Sequence, residues 1–257
     1  MVWSKPQSSA GGPIWKVVRR QHGVIARRQL LELGVSRRGI EHRIATGRLY
    51  PLMRGVYAVG RSEVTRHGRW MAAILACGPG AVLSHRSAAA LWGIDKEAGD
   101  LIDVSVRASS FNDPPGLRVH RRRSLRLHGI TEKDDIPLTC VVLTLIDLAA
   151  QLDERRLERA VNEADRLDLV DPETLRASLG AYRGQPGVAR LRALLDRRTF
   201  RLTDSELERR FLPLVDSAGL PRPLTRQHVN GFRVDFYWPD LGLVVETDGL
   251  RYHRTPA

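Results

Sequence analysis

Residues 231–253, GFRVDFYWPDLGLVVETDGLRYH, decide how the chain is read. Arg233 to Trp238 and Leu243 to Asp248 are rich in aromatic and β-branched residues, and Pro239-Asp240-Leu241-Gly242 between them is turn chemistry. The pattern predicts two antiparallel strands. A four-residue loop sets their register: Trp238 faces Leu243, Tyr237 faces Val244, Phe236 faces Val245, Asp235 faces Glu246 and Arg233 faces Asp248. Side chains alternate between faces, so Arg233, Asp235, Glu246 and Asp248 share one.

Carboxylates directly opposite each other destabilise a sheet unless a cation sits between them. A divalent metal accounts for the pair. Mg²⁺ takes oxygen ligands, often one or two protein carboxylates completed by water and a substrate phosphate, so Asp235 and Glu246 are the candidate ligands of Mg²⁺ or Mn²⁺. A cross-strand ion pair of Arg233 with Asp248 at a solvated edge is the plainer alternative.

The stretch also resembles a known family. Val234-Asp235-Phe236, then Val244-Val245-Glu246-Thr247-Asp248-Gly249 and His253, look like the very-short-patch-repair-like endonuclease domains of the PD-(D/E)XK superfamily. Upstream, Ser205-Glu206-Leu207-Glu208-Arg209-Arg210-Phe211 resembles the helix that opens that domain, and Arg226-Gln227-His228 the segment leading into its first catalytic strand. The resemblance covers residues 203–257 and implies metal-dependent phosphodiester hydrolysis, with Asp235 and Glu246 at the metal and Glu208, Asp248 and His253 assisting orientation or proton transfer. Asp248 stands where many members carry lysine. Thr203-x-x-Glu206 and Ser205-x-x-Glu208 are also overlapping capping boxes, which is an alternative role for either glutamate. A lone histidine such as His253 is otherwise more often structural. Members of this type continue past the histidine into a basic helix and further strands, so residues 201–257 are expected to be the N-terminal part of the domain.

Charge points the same way from the other end. The 257 residues carry a formal net charge of +12. Residues 1–60 hold 11 Lys/Arg against 2 Asp/Glu, net +9, whereas residues 201–257 hold 8 of each. Attraction to a polyanion, nucleic acid first, belongs to the N-terminal half.

Residues 13–60 read as a winged helix-turn-helix. Pro13 opens a helix that Gly23 closes, Arg27 to Leu33 is a second, and Ser36 caps a third over about 37–46, with Ile40 and Ile44 inward. Arg37, Arg38 and His42 lie on its outer side, with Arg43 beside them. Leu49 to Leu52 and Val56 to Val59 form a wing flanked by Arg48 and Arg54. These six basic residues are the candidate contacts to double-stranded DNA. Residues 12–60 are similar to the N-terminal domain of AbiEi-type antitoxins of type IV toxin–antitoxin systems. That likeness implies operator binding, repression and, as a further partner, a cognate toxin.

Residues 61–200 read as a mostly helical connecting domain with a few strands. Helices are expected over Glu63 to Cys77 and Ser84 to Trp92, strands over Ile102 to Arg107 and Leu117 to Arg122 around a turn at Asn112 to Gly116, and helices from Thr139 on, starting near Asp153, Asp171 and Gln185. Ser84-His85-Arg86-Ser87 reads as a capped helix start, since no acid in the sequence nearby completes a catalytic serine. Arg121, Arg122 and Arg123 form a basic cluster that either extends the DNA surface or ends a strand in solvent. Cys77 and Cys140 lack metal-ligand spacing, MVWSKPQSSAGG has no apolar core of a signal peptide, and the longest apolar run, Thr139 to Ala150, contains Asp147. A cytoplasmic protein away from the membrane is expected. The fold expected is α+β and multidomain: a winged helix-turn-helix over 1–60, a mostly helical domain over 61–200 and a restriction-endonuclease-like α/β domain from 201. Two functions follow, a metal-dependent DNA endonuclease and an antitoxin-like transcriptional repressor whose C-terminal part no longer cuts.

Overall fold

The computed structural model describes residues 12–95, 101–107, 115–122, 129–195 and 206–246, with side chains from 211 onward in the last stretch. It is a mixed α and β chain with three sheets. The N-terminal unit runs α1 (Pro13–Arg20), β1 (Val24–Ala26), α2 (Arg27–Glu32), α3 (Arg37–Ala45), β2 (Leu49–Met53) and β3 (Val56–Val59). Pro13 sits at the start of α1, where a missing N–H costs nothing. The Ser36 hydroxyl accepts from Gly39 N at 3.1 Å and starts α3. β1, beyond the expected elements, pairs with β3, and β2 pairs with β3 from the other side. Val18, Ile25, Leu30, Val35, Ile40, Leu49 and Tyr57 fill the space between helices and wing.

This unit is not packed alone. Val24, Ala26 and Val56 belong to the core of the next unit, whose helix α4 (Arg66–Cys77) crosses beneath β1. A Cβ at position 68 would stand 2.9 Å from the His22 carbonyl oxygen, so Gly68 is what lets α4 approach so closely. Arg20 pairs with Asp135 at 3.2 Å and His22 Nε2 meets the Asp134 carbonyl at 2.6 Å, adding a polar joint.

The middle region holds more helix than strand, but a five-stranded sheet organises it. β4 (Val82–Leu83), α5 (His85–Trp92), β5 (Ile102–Arg107), β6 (Leu117–Arg122), β7 (Ile130–Lys133) and β8 (Ile136–Thr139) give the order β6-β5-β4-β8-β7. β5 and β6 lie where expected, yet they pair in parallel, so no tight hairpin joins them; most of the expected turn lies outside the described residues. Their alternation is two-sided: Val104, Val106, Leu117 and Val119 pack with α4, while Asp103, Ser105, His120 and Arg122 turn to the other face. Then come α6 (Val141–Ala149), α7 (Glu154–Arg166), α8 (Pro172–Ser178) and α9 (Val188–Leu194), with Asp153 and Asp171 each capping a helix. Leu145, Ile146, Leu157, Leu175 and Leu191 bury a separate helical core.

The last described unit is α10 (Glu206–Ser217) against the antiparallel sheet of β9 (Leu224–Val229), β10 (Phe232–Trp238) and β11 (Leu243–Val245). Trp238 pairs with Leu243, Tyr237 with Val244 and Phe236 with Val245, the register a four-residue loop predicts. Leu212 and Val215 of α10 bury Phe236 and Trp238 in a cluster that shares no residue with the other cores.

Candidate functional site

On the winged unit, Ile40 is fully buried and turns the opposite side of α3 outward. Arg37 and Arg38 in its first turn, His42, Arg48 just after it and Arg54 at the wing turn are all exposed. Gly55 takes φ +74°, which the tight wing turn requires. Arg43 departs from expectation: it is half-buried and its Nη1 donates to the Gly39 carbonyl at 2.9 Å, so it braces its own helix. A cavity of about 480 Å³ lies between Ile44 of α3 and the wing residues Pro51 to Gly55, with Arg54 on its lining. Arg19, exposed in the last turn of α1, adds positive charge beyond the six expected residues, while Arg20 beside it is paired with Asp135.

The C-terminal sheet has an apolar face on α10 and a charged face opposite. The pairing ends at Phe236–Val245; Asp235, half-buried, and Glu246, exposed just past β11, are the next residues on the two strands. The same face carries Arg226 and Arg233. Arg233 donates to Asp165 Oδ2 at 3.2 Å and Asp168 Oδ1 at 3.1 Å, because the end of α7 lies against this face; its expected partner Asp248 lies outside the described residues. Arg226 pairs with the same Asp165 oxygen, and both side chains are nearly buried. Burial, then the Arg233 charge, lower Arg226 to about 10, while Asp235 opposes them; it remains a cation at neutral pH. Asp248 and His253, and the side chain of Glu208, lie outside the described residues. Among the described residues no three His, Cys, Asp or Glu side chains converge as a metal site. Asp235 and Glu246 are the two carboxylates there that could hold a hard cation, with water and phosphate completing its shell.

A third cluster lies between β5, β6, the start of α5 and the last turn of α6. His85, at the β4–α5 junction, has φ +49°, which a residue with a Cβ adopts only at a cost. Its ring stacks on His120 at 3.5 Å between centroids, and His120 Nε2 meets Asp103 Oδ1 at 2.7 Å. Arg122 reaches Asp147, Ser105 Oγ at 3.0 Å and Gln185 Oε1 at 3.3 Å, which removes it from the proposed basic surface cluster. The acid that the sequence did not supply for Ser84 and His85 is Asp147, 62 positions on. No catalytic triad results, because Ser84 Oγ at 3.0 Å and Asp147 Oδ2 at 3.5 Å both meet His85 Nδ1. Ser84 precedes α5 without capping it by a side-chain bond. Burial, and then the charges of His120, Arg122 and Arg118, lower His85 to about 2. Burial raises Asp147 to about 6 against the opposing charge of Arg122.

Three helices, a two-stranded wing and a third strand closing it define the N-terminal unit as a winged-helix domain, with its arginines on the outer face of the third helix. Residues 16–60 match the family described as a transcriptional regulator, AbiEi antitoxin. Two uncharacterised proteins, from two strains of Mycobacterium tuberculosis, are each 29% identical over 234 residues, covering 87% of this chain and 82% of the relative. Among the described residues no helix is long and apolar enough to cross a membrane.

Proposed function

We propose that the chain is a cytoplasmic DNA-binding regulator of the antitoxin type, acting on double-stranded DNA and paired with a cognate toxin. The observation that carries this is the exposed Arg37–Arg38 pair in the first turn of α3 beside a wing tipped by Arg54, within the residues that match the antitoxin family. A recognition helix meets base edges with its first turns, and wing arginines meet phosphate. Arg37→Ala/Arg38→Ala in the full chain should weaken duplex binding by about 1–3 kcal/mol per base-reading arginine, or lower the salt slope by about 1 per phosphate-binding one. Fluorescence anisotropy over a salt series separates the two. Unchanged affinity would move the interface elsewhere.

A second reading is supported by Asp235 and Glu246 standing next after the last paired positions of β10 and β11, and by the family likeness of residues 203–257: a metal-dependent endonuclease. Mg²⁺ or Mn²⁺ when bound there would activate water and offset charge on the phosphate. Asp235 and Glu246 would hold the ion, and Arg226 and Arg233 are the cations nearest the face. Mg²⁺ should then raise the melting temperature of the full chain and Asp235→Asn should abolish that rise. A melting temperature indifferent to Mg²⁺ and Mn²⁺, with plasmid left intact, would leave only the regulator.

A further inference from the structure

The face of the C-terminal sheet that carries Asp235 also carries two arginines held in ion pairs. Arg226, in β9, and Arg233, in β10, come from adjacent strands and converge on one oxygen of Asp165 near the end of α7. Arg233 takes Asp168 as well, with its two Nη atoms on two separate carboxylate oxygens at 3.1 and 3.2 Å. A guanidinium grips two oxygens of a phosphate in the same way. Asp165 and Arg226 are 7% and 5% exposed, so the charges are withdrawn from water, whereas the Asp168 side chain is 84% exposed. Among the described residues the sheet's own core, Leu212, Val215, Phe236 and Trp238, shares no residue with the helical core behind α7, and the side-chain bonds that join the two here are ion pairs. A joint held by ion pairs opens more readily than a large hydrophobic interface.

We propose that Arg226 and Arg233 form a second nucleic-acid phosphate site, and that Asp165 and Asp168 stand in for the phosphate and hold that site shut. The inference rests on nucleic acid being the partner but not on the winged helix being the part that binds it. Each carboxylate oxygen on a guanidinium takes the place of a phosphodiester oxygen, so DNA and α7 compete for the same two side chains. When α7 releases them, two further cations face the backbone of the duplex beside Asp235.

The test uses the full chain and a duplex probe over a salt series. Asp165→Asn/Asp168→Asn should bind more tightly, with a log–log salt slope steeper by about 1.8 for two added phosphate contacts; its advantage over the parent chain is then roughly tenfold larger at about 50 mM than at about 200 mM salt. Adding Arg226→Ala/Arg233→Ala should cancel the gain. Glu154→Gln/Asp240→Asn removes two exposed acids elsewhere and controls for overall charge; a gain equal to that control, or an unchanged slope, overturns the proposal. If the double variant fails to fold, the exposed Asp168→Asn alone should still steepen the slope, by up to about 0.9, and no change there overturns it. Repeating the series on Arg37→Ala/Arg38→Ala separates the two readings: a gain that persists there supports the second site even if the winged helix proves not to bind. A gain erased by inorganic phosphate at constant ionic strength would make this a small-anion site and overturn the nucleic-acid assignment.

Discussion

The two ends of the chain hold arginines in opposite states. On α3 and the wing, Arg37, Arg38, Arg48 and Arg54 project into water, while on the C-terminal sheet Arg226 and Arg233 are drawn onto Asp165 and Asp168 of a distant helix. The difference lies in what the fold brings opposite them. An exposed guanidinium keeps its hydration until a polyanion displaces counterions, so it is available for binding. One held by a buried carboxylate is available only after a competing contact is broken, and breaking it leaves a buried charge unpaired. Counting charges along the chain ranks the two ends by net charge; the geometry ranks them by readiness.

The largest effect expected from this contrast is on stability. Phe236 is fully buried in a core of its own, so Phe236→Ala should cost about 3–5 kcal/mol and unfold the C-terminal sheet first. Duplex binding should survive it. Ile40→Ala, in the winged core, should cost about 2–5 kcal/mol and take binding with it. Denaturant titration followed by anisotropy on the same samples checks both, and binding lost in Phe236→Ala would mean the two ends are not separable.

The next effect is a pH profile set by the middle region, which lies between the two ends. His85 is held at about 2 against an ordinary 6.5, so on acidification the unfolded chain takes up that proton first and stability falls below pH 6.5. Asp147 is held at about 6 against 3.8, so the folded chain takes up a proton between about pH 6 and 4, which restores stability over that window. The two contributions oppose each other between about pH 6 and 4, and below that the His85 contribution alone lowers stability, by up to roughly 1.4 kcal/mol per pH unit. In Asp147→Asn the compensation is gone and the fall should begin near pH 6.5. A profile identical to that of the parent chain would place the proton elsewhere.

The smallest effect concerns the recognition helix itself. Ser36→Ala removes the hydroxyl that accepts from Gly39 N and should cost about 1 kcal/mol. Because the cap sets the turn that presents Arg37 and Arg38, affinity should drop together with stability. Circular dichroism melting and anisotropy, compared on the same samples, test that coupling.

Much of the fold could be read in advance where the signal is local. The cap at Ser36, the glycine stops, the caps at Asp153 and Asp171 and the hairpin register from Trp238–Leu243 to Phe236–Val245 each depend on residues a few positions apart. Strand β4 escaped because two residues, Val82 and Leu83, carry no period, and its parallel partner Leu138 is 55 positions away. The parallel pairing of β5 with β6 escaped for a related reason: alternation predicts a strand but is the same for either direction of pairing.

The sequence by itself determined the elements with a strong local signal, the excess of positive charge toward the N-terminus and the candidate residues for an anion or a hard cation, because propensity, periodicity and charge are properties of neighbouring residues. Only the tertiary structure decided which of those residues are available. It set Asp147 against Arg122 and laid Asp165 across Arg226 and Arg233. Those pairings join residues up to 68 positions apart, and they form because burying a charge is tolerable only beside its opposite, a condition that depends on distance in space and leaves no periodic trace along the chain.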